Sequence, residues 1–387
     1  MITFRLKAPA TVVLLVHGPS PSCGLAGRKV VTLGKGVSRM RFLGRFHGHP
    51  LAPGVEAVLD GAGGRELRGV LKMELLASMV ELATDVCTTP QEALAALRQL
   101  RATADEGARS AGLRIAASGT HPFSLPQAQD VAPDPRYREF VEYAGISARR
   151  QAVCGLHVHV GMPGPEETMR ALEGVLPWLP LVLALSANSP YLAGEETGLA
   201  SARAEVLALL PRAAAPPVFG SYAEWETFVE RFVEIGLADG YTRFWWDIRP
   251  HPRFGTLEVR APDQPTDVER TAAFAALLQA LCVTVLRGEP PAPANRGDYA
   301  QNRWAALRFG PRAQLIHPEG SRLVPVDELF RELLSLVEPA ARELETFELF
   351  DGLDPRTCEG DRQLALGRSS GLEAVAADAV ERTVRSA

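Results

Sequence analysis

The sequence predicts an α+β protein whose strands and helices do not follow a regular strand–helix–strand repeat. Residues 79–87 alternate apolar and polar side chains with the period of two that is typical of a strand. Residues from Pro90 onward instead repeat their apolar side chains, including Leu94 and Leu97, at helical spacing. The predicted strands are separated by connections of very different length, which disfavours a regular parallel α/β fold.

Each further element is predicted from its own local pattern. The helix after residue 88 begins at Thr89-Pro90, because a hydroxyl N-cap followed by proline is a favourable helix start. Additional strands are expected at residues 113–118, 152–161, 244–248 and 256–260. Helices are expected at residues 166–185, 222–236, 267–286, 326–347 and 371–384.

The composition is that of a soluble globular protein and disfavours several functional classes. The 387 residues are 46% hydrophobic and 22% charged with a net charge of −5, so nucleic acid is not an expected partner. The five cysteines form no Cys-x-x-Cys pair, which disfavours a zinc ribbon and fits a reducing compartment. The apolar stretches at 181–185 and 272–286 are expected to be core helices, not membrane spans, and we predict a cytoplasmic protein.

Residues 1–50 differ from the remainder of the chain. They show no clean periodicity and are rich in Gly, Pro, Arg and Lys, whereas the patterning becomes sharp further along. We therefore divide the chain into an atypical N-terminal segment, residues 1–50, and a main domain, residues 51–387.

Two predicted strands carry side chains suited to binding a metal ion. On the first, alternation places Glu81 on the face opposite the apolar residues, and Glu74 precedes this strand. On the second, His157 and His159 share a face, where two neutral imidazoles suit a metal or a phosphate group. A solvated strand surface would explain the same residues without any function.

A predicted hairpin places acids beside arginines. Asp247 and Arg249 lie two residues apart on one strand, as do Glu258 and Arg260 on the next. A carboxylate supplies oxygen ligands to Mg²⁺ and a guanidinium binds phosphate oxygens through a rigid fork, so together the pairs suit a metal–nucleotide site. A surface ladder of ion pairs is the alternative explanation.

Loop motifs contribute little to the functional prediction. Residues 118–123 (Ser-Gly-Thr-His-Pro-Phe) follow a predicted strand and are interpreted as a turn with an exposed threonine and histidine. No Walker A loop, dinucleotide Gly-x-Gly-x-x-Gly motif or Gly-x-Ser-x-Gly elbow occurs in a suitable context. Any nucleotide would therefore be bound by a sheet lined with acids instead of a glycine-rich loop.

Taken together and in order, these segments resemble the glutamate–cysteine ligase type 2 family, the YbdK-like ATP-dependent carboxylate–amine ligases. The matching stretches are residues 81–87, 119–123, 157–161, 186–191, 246–250 and 255–260, and the resemblance covers residues 50–385. Several separate motifs in a fixed order are far more specific than any one of them. On this basis residues 51–387 are expected to form the catalytic domain.

The resemblance implies a glutamine-synthetase-like fold, a curved and mostly antiparallel sheet with flanking helices whose concave face binds ATP and Mg²⁺. It also implies a reaction in which ATP phosphorylates the side-chain carboxylate of glutamate and an amine, such as cysteine, attacks the acyl phosphate. ADP and phosphate are then released. A homo-oligomer is compatible with this assignment, and neither membrane nor nucleic-acid partners are expected.

The resemblance further assigns the metal ligands. Glu81 and Glu258 become the expected Mg²⁺ ligands, followed by His157 and its neighbour His159. Glu74 is added because its position is acidic in relatives.

It also assigns the nucleotide and catalytic groups. Arg260 is expected to stabilise the transferring phosphoryl group, whose dispersed negative charge needs nearby cations. Arg249 is expected to contact the nucleotide or the substrate, with Asp247 beside it in the nucleotide site.

One segment departs from the family pattern. Relatives begin with a strand that carries acids (Gly-Val-Glu-Glu-Glu or similar), whereas residues 36–42 read Gly-Val-Ser-Arg-Met-Arg-Phe. Two arginines there would repel Mg²⁺. Because a one-base shift can turn Ser-Arg-Met-Arg into Glu-Asp-Glu, a local frameshift within residues 1–50 is a hypothesis.

We therefore predict an ATP- and Mg²⁺-dependent carboxylate–amine ligase, with weak glutamate–cysteine ligase activity for the chain as written. The alternative is a non-catalytic family member that retains the fold and binds a nucleotide or an amino acid, and residues 36–42 distinguish the two. A metal hydrolase built on His157 and His159 is disfavoured, because no His-x-x-x-His pair or third clustered ligand accompanies them.

Overall fold

A computed structural model describes the chain over residues 6–7, 10–17, 49–320 and 322–385. The segment 36–42, on which the predicted loss of metal ligands depends, lies outside the described residues.

The strands follow the chain in the order β1 (Leu6–Lys7), β2 (Ala10–His17), β3 (Gly69–Met73), β4 (Met79–Thr84), β5 (Val86–Cys87), β6 (Leu113–Ala116), β7 (Leu156–Gly161), β8 (Tyr191–Leu192), β9 (Glu195–Glu196), β10 (Ile248–His251), β11 (Thr256–Val259), β12 (Gln314–Ile316) and β13 (Leu323–Pro325). The helices are α1 (Val55–Ala62), α2 (Pro90–Ser110), α3 (Pro135–Ala144), α4 (Ile146–Arg149), α5 (Pro165–Val175), α6 (Leu179–Ser186), α7 (Ala202–Leu207), α8 (Tyr222–Glu234), α9 (Val268–Arg287), α10 (Arg296–Phe309), α11 (Val326–Glu343), α12 (Glu359–Ser370) and α13 (Leu372–Arg385).

The main sheet is antiparallel at every pairing of described strands and has the order β10–β11–β7–β2–β4–β3. Strand β6 also pairs with β2, and the short β1 pairs with β5 and β7. Two small sheets, β8–β9 and β12–β13, lie apart from it. The predicted α+β class with a mostly antiparallel sheet is therefore confirmed.

The two faces of the sheet differ in the way that strand alternation requires. Val158 and Val160 of β7 and Leu257 and Val259 of β11 lie in one apolar core with helices α5 and α9. Because successive side chains point to opposite faces, His157, His159 and Glu258 lie on the other face. The functional candidates are thus presented on the face opposite the core helices.

Strand β4 differs from its prediction in both length and surroundings. The predicted strand 79–87 is interrupted at Asp85, so β4 and β5 are separate. Val80 and Leu82 pack beneath helix α2 against Leu100, as alternation predicts. The opposite face is not a solvated surface, because Glu81 lines a cavity.

The predicted strand 244–248 is wrong in position. Phe244 and Trp246 are buried in the core, and Trp246 forms only an isolated parallel bridge with Ala214. The strand is instead β10, whose register is set by pairing Ile248 with Val259. Pro250 fits there because β10 is an edge strand, where no ladder N–H is needed.

The predicted core helices are confirmed. The stretches Pro165–Ser186 and Val268–Arg287 are long and apolar enough to cross a membrane, yet 89% and 78% of their most apolar windows are buried inside the protein. The first is divided into α5, a 3₁₀ turn and α6 at Pro177, because proline supplies no backbone N–H. Helix α10 was not predicted, since its apolar and charged residues form no clean face.

Candidate active site

A cavity of about 520 Å³ opens on the sheet face opposite the core helices, within the size range of ligand pockets. Side chains from β4, β7, β10 and β11 contribute to its wall. Seven residues predicted from the sequence line it: Glu74, Glu81, His157, His159, Arg249, Glu258 and Arg260.

Glu258 is the centre of a charged group in this cavity. Pairing of β10 with β11 places Arg249 directly opposite Glu258, and pairing of β11 with β7 places His159 opposite it on the other side. Arg249 donates from Nε to Glu258 Oε2 (2.6 Å), and Arg260 donates from Nη1 to Glu258 Oε1 (2.5 Å). The three groups form a compact unit, which we call the Glu258 clamp.

The Glu258 clamp is buried and keeps its carboxylate ionised. Only 2% of Glu258 and 7% of Arg249 are exposed. Burial by itself raises the pKa of Glu258, but the guanidinium groups of Arg249 and Arg260 outweigh it and hold this pKa well below its usual range. Two cations share one carboxylate, so the clamp leaves an excess of positive charge beside the cavity.

The two arginines of the clamp differ in the hydrogen bonds that their guanidinium groups make. Arg249 also donates from Nη1 to the carbonyl oxygens of Thr242 (3.0 Å) and Phe244 (2.8 Å). Arg260 has a buried Nε with no hydrogen-bond partner among the described residues. Since an orphaned buried donor is costly, Arg260 is the better candidate to bind an anion in the cavity.

His157 and His159 lie on the same face, as predicted. His159 Nε2 and His157 Nδ1 each lie 3.9 Å from Glu258 Oε1, and His159 Nδ1 is 3.0 Å from the hydroxyl of Thr256. Burial lowers the pKa of His159 to about 4 and that of His157 well below its usual value. Both imidazoles are therefore neutral at pH 7.

A second acidic group lies on the β3–β4 side of the cavity. Glu81 forms an ion pair with Lys72, 3.6 Å between Oε1 and Nζ, in line with their register across the two strands. Burial and the neighbouring charge of Glu81 raise the pKa of Glu74 to about 7. Glu74 is therefore partly protonated near neutral pH.

The described residues do not complete the predicted Mg²⁺ site. Within the described part of the chain, no three His, Cys, Asp or Glu side chains come together as metal ligands. Glu258 is engaged by two arginines, and strand β2, which lies between β7 and β4, contains no acidic residue. The assignment of Glu81, Glu258, His157, His159 and Glu74 as Mg²⁺ ligands therefore stays a prediction.

Asp247 does not belong to the cavity, contrary to the prediction for the nucleotide site. Its carboxylate is buried and accepts hydrogen bonds from the Tyr299 hydroxyl and from Arg303 Nε, both at 2.7 Å. Asp247 precedes β10, so strand alternation does not place it beside Arg249. Its partners lie on helix α10, which was not predicted from the sequence.

Arg203 is a cavity residue that the sequence did not reveal. Its Nη1 and Nη2 donate to the carbonyl oxygens of Ala261 and Arg260, both at 2.8 Å, immediately after β11. A side-chain carbon at Gly155 would collide with this guanidinium, so glycine there makes room for it. A single arginine within a short helix carries no sequence signal of such a role.

Residues 118–123 are buried, not exposed as expected. Thr120 and His121 are 1% and 3% exposed. The hydroxyl of Thr120 donates to the Tyr191 carbonyl (2.6 Å), and His121 Nδ1 accepts from the backbone N–H of Ser124 (3.0 Å). This segment is structural.

Most of the chain is similar in sequence to proteins of one known family. Residues 49–371 match the family described as Glutamate-cysteine ligase family 2. A protein of Rubrobacter xylanophilus, provisionally named glutamate–cysteine ligase 2-3, is 42% identical over 84% of this chain and 90% of its own length. A protein of Sorangium cellulosum, provisionally named glutamate–cysteine ligase 2, is 38% identical over 85% of this chain and 90% of its own length.

Solved structures resemble the fold at low sequence identity. The crystal structure of glutamate–cysteine ligase from Francisella tularensis in complex with AMP has a TM-score of 0.66 at 13% identity and covers 100% of this chain and 89% of that one. A bifunctional glutathione synthetase from Pasteurella multocida has a TM-score of 0.65 at 14% identity and covers 98% and 53%. The chain therefore belongs to glutamate-cysteine ligase family 2 and, with it, to the ATP-dependent ligases that form a carbon–nitrogen bond.

Proposed function

We propose that this protein joins the side-chain carboxylate of glutamate to the amino group of a second substrate, with ATP as the phosphoryl donor. The carboxylate attacks the γ-phosphorus of ATP, which releases ADP and forms an acyl phosphate. The amine then attacks the acyl carbon, loses a proton and expels phosphate. The Glu258 clamp, placed in a cavity of ligand size, is the observation that most directly supports this proposal.

Arg260 is the proposed phosphoryl-binding group. Its Nη1 is held by Glu258, which fixes the plane of the guanidinium, while its buried Nε has no hydrogen-bond partner among the described residues. A phosphoryl group in transit spreads negative charge over its oxygens, so a preorganised cation lowers the barrier without reorganising at the moment of reaction.

Arg249 is proposed to act mainly as a positioning residue. Its guanidinium is engaged by Glu258 and by the carbonyl oxygens of Thr242 and Phe244. It therefore holds Glu258, which in turn holds Arg260. Direct contact of Arg249 with the nucleotide or substrate stays a prediction.

The role of Mg²⁺ also stays a prediction. Glu81, Glu74, Glu258, His157 and His159 supply suitable donor types, but the described residues do not bring a complete set together. Each acid that relatives carry and that residues 36–42 lack would have supplied a hard oxygen ligand of the kind Mg²⁺ prefers. We therefore propose weak activity for the chain as written.

ATP consumption tests the proposal. Release of ADP is measured with glutamate and a panel of amines, over a range of Mg²⁺ concentrations, for the unmodified chain. A matched variant replaces Ser38-Arg39-Met40 by Glu-Asp-Glu, with the flanking residues adjusted to the alternative reading frame. We expect glutamate- and amine-dependent turnover that is weak in the unmodified chain and at least about tenfold faster in the variant.

Two results would contradict this proposal in different ways. Robust glutamate-dependent turnover by the unmodified chain would show that the activity is not weak. Absence of glutamate-dependent turnover from both chains would overturn the ligase assignment for this substrate.

The incomplete cation site favours a second candidate, a family member that binds a nucleotide or an amino acid without catalysis. Calorimetric titration with ATP and with glutamate distinguishes the two, because such a protein binds ligand while neither chain releases ADP. A cytoplasmic location and a homo-oligomeric state remain predictions from the sequence.

A further inference from the structure

The cavity has one apolar side. Five of its lining residues are large, apolar and packed together: Leu75, Phe140, Leu207, Leu210 and Trp245. They come from the β3–β4 connection, helix α3, the α7 region and the segment before β10. We call this surface the apolar wall. It lies beside the charged side formed by the Glu258 clamp, Glu74 and Glu81.

The apolar wall is a packed and preformed surface. Leu75, Phe140, Leu207 and Leu210 belong to one core cluster and are only 4–9% exposed, with Trp245 packed against it. The rings of Phe140 and Trp245 lie 5.2 Å apart at an interplanar angle of 32°. Side chains held in this way present a fixed shape to a ligand.

Three polar side chains around the apolar wall already make hydrogen bonds within the protein. Arg243 donates to both oxygens of Asp239 (2.8 and 2.6 Å), and the Tyr137 hydroxyl donates to the Met73 carbonyl (2.8 Å). Gln151 Nε2 donates to two backbone carbonyls at 3.0 Å. A polar substituent that entered here would therefore lose its water without gaining equivalent hydrogen bonds.

We infer that the apolar wall binds the side chain of the amine substrate, and that this substrate carries an apolar aliphatic or aromatic group. The inference rests on the proposed function, because it needs an amine that reaches the charged side of the cavity. Leu75 of the wall is the residue next to Glu74 in the chain, so the wall adjoins this carboxyl group. The amino group would then lie near the carboxylates while its side chain contacts the wall.

The adenine ring of ATP is the competing occupant of this surface. A different part of the cavity suits a planar ring better, because His251 and Phe254 are stacked there at 4.2 Å with an interplanar angle of 17°. Flat aromatic surfaces favour stacking, whereas the apolar wall combines three leucines with two rings tilted by 32° and so offers no continuous flat surface. The wall is therefore assigned to the amine.

Matched amino acids test the inference on the unmodified chain. Leucine and asparagine have nearly the same shape but differ in polarity. Phenylalanine and histidine form a second pair that is matched in approximate size. We expect leucine to exceed asparagine in kcat/KM by at least about tenfold, measured as ADP release and as mass of the γ-glutamyl product. Calorimetric titration with the same amino acids gives a readout that does not require turnover.

Variants of two neighbouring leucines test whether the apolar wall causes the preference for leucine over asparagine. Leu207→Ala removes a wall residue, whereas Leu209→Ala changes a side chain that is 42% exposed and does not line the cavity. Leu207→Ala is expected to reduce the leucine preference at least about threefold with ATP affinity unchanged, and Leu209→Ala to alter neither. Urea unfolding establishes that each variant is folded.

Each outcome is decisive. Equal or better use of asparagine, or of cysteine over leucine, overturns the inference while leaving the ligase function intact. Loss of ATP affinity in Leu207→Ala with unchanged amine preference also overturns it, because the wall would then hold adenine. If no amine supports ADP release by either the unmodified chain or the Glu-Asp-Glu variant, the proposed function fails, but selective binding of leucine over asparagine still supports the apolar wall. Absence of both turnover and selective binding overturns both.

Discussion

Removing the charge of Glu258 is expected to destabilise the folded protein severely. Glu258→Gln preserves the shape of the side chain but leaves the guanidinium groups of Arg249 and Arg260 without their shared carboxylate. Arg249 is 7% exposed, so water cannot replace the lost partner. Breaking a buried ion pair by neutralising one partner typically costs about 3–5 kcal/mol, because the other charge stays buried.

A surface pair of similar geometry serves as the control. Arg287 and Glu343 are joined at 2.7 Å, close to the 2.6 Å between Arg249 and Glu258, but their side chains are 51% and 59% exposed. Glu343→Gln is expected to change the free energy of unfolding little, since exposed pairs are screened by solvent. A larger loss of unfolding free energy in Glu258→Gln than in Glu343→Gln would therefore reflect burial, because the two ion pairs have nearly the same N–O distance.

The free energy of unfolding in urea, together with ADP release, checks this prediction. The pKa of folded Glu258 lies well below its usual range, so its stabilising contribution is present above the unfolded pKa of about 4.5 and is lost as the pH falls through the folded value. The cost of Glu258→Gln should accordingly be full at pH 7 and shrink in acid. A cost within about 1 kcal/mol of the Glu343→Gln control at pH 7 would refute the reasoning.

Four further predictions concern other charged residues. Arg260→Lys keeps the charge but loses the planar fork, so kcat should fall at least about tenfold with a smaller change in ATP affinity, and near-normal turnover would remove Arg260 from the catalytic residues. Arg249→Ala should act more on substrate KM and on unfolding in urea, and unchanged values of both would contradict its positioning role. Glu74→Gln removes a carboxyl whose pKa burial and Glu81 raise to about 7, so the unmodified protein should lose stability as the pH rises from about 4.5 through 7. The variant should be more stable by on the order of 1–3 kcal/mol at pH 8 but not at pH 4, and equal urea midpoints at pH 8 would exclude this effect. Asp247→Asn should lower the unfolding free energy by about 2–4 kcal/mol without changing ATP affinity of the folded protein, and a selective loss of ATP affinity would return Asp247 to the nucleotide site.

The position and sequence of strand β2 help to explain why the described residues do not form a complete set of metal ligands. Strand β2 lies between β7 and β4, at the position that separates Glu258 and its histidines from Glu81. Its sequence, Ala-Thr-Val-Val-Leu-Leu-Val-His, offers no carboxylate. A carboxylate on β2 would lie between these two parts of the site, and its absence leaves Glu81 and Glu258 without an acidic neighbour on the strand between them.

The sequence alone determined the features that depend on local alternation. His157 and His159 share a face because β7 has a period of two, and Glu258 meets Arg249 because the hairpin of β10 and β11 is short. The order of motifs also indicated the family and the antiparallel sheet. Such features depend on residues that are close along the chain, so their patterns survive without tertiary information.

Only the tertiary structure decided which charged groups share the cavity. Asp247 is bonded to Tyr299 and Arg303, more than fifty residues away, and Arg203 reaches the backbone after β11 from helix α7. Whether a strand face meets solvent or a cavity likewise depends on what packs opposite it, as Glu81 illustrates. Side-chain alternation specifies the face of a strand but not its surroundings, because burial is set by contacts between elements that are distant in sequence.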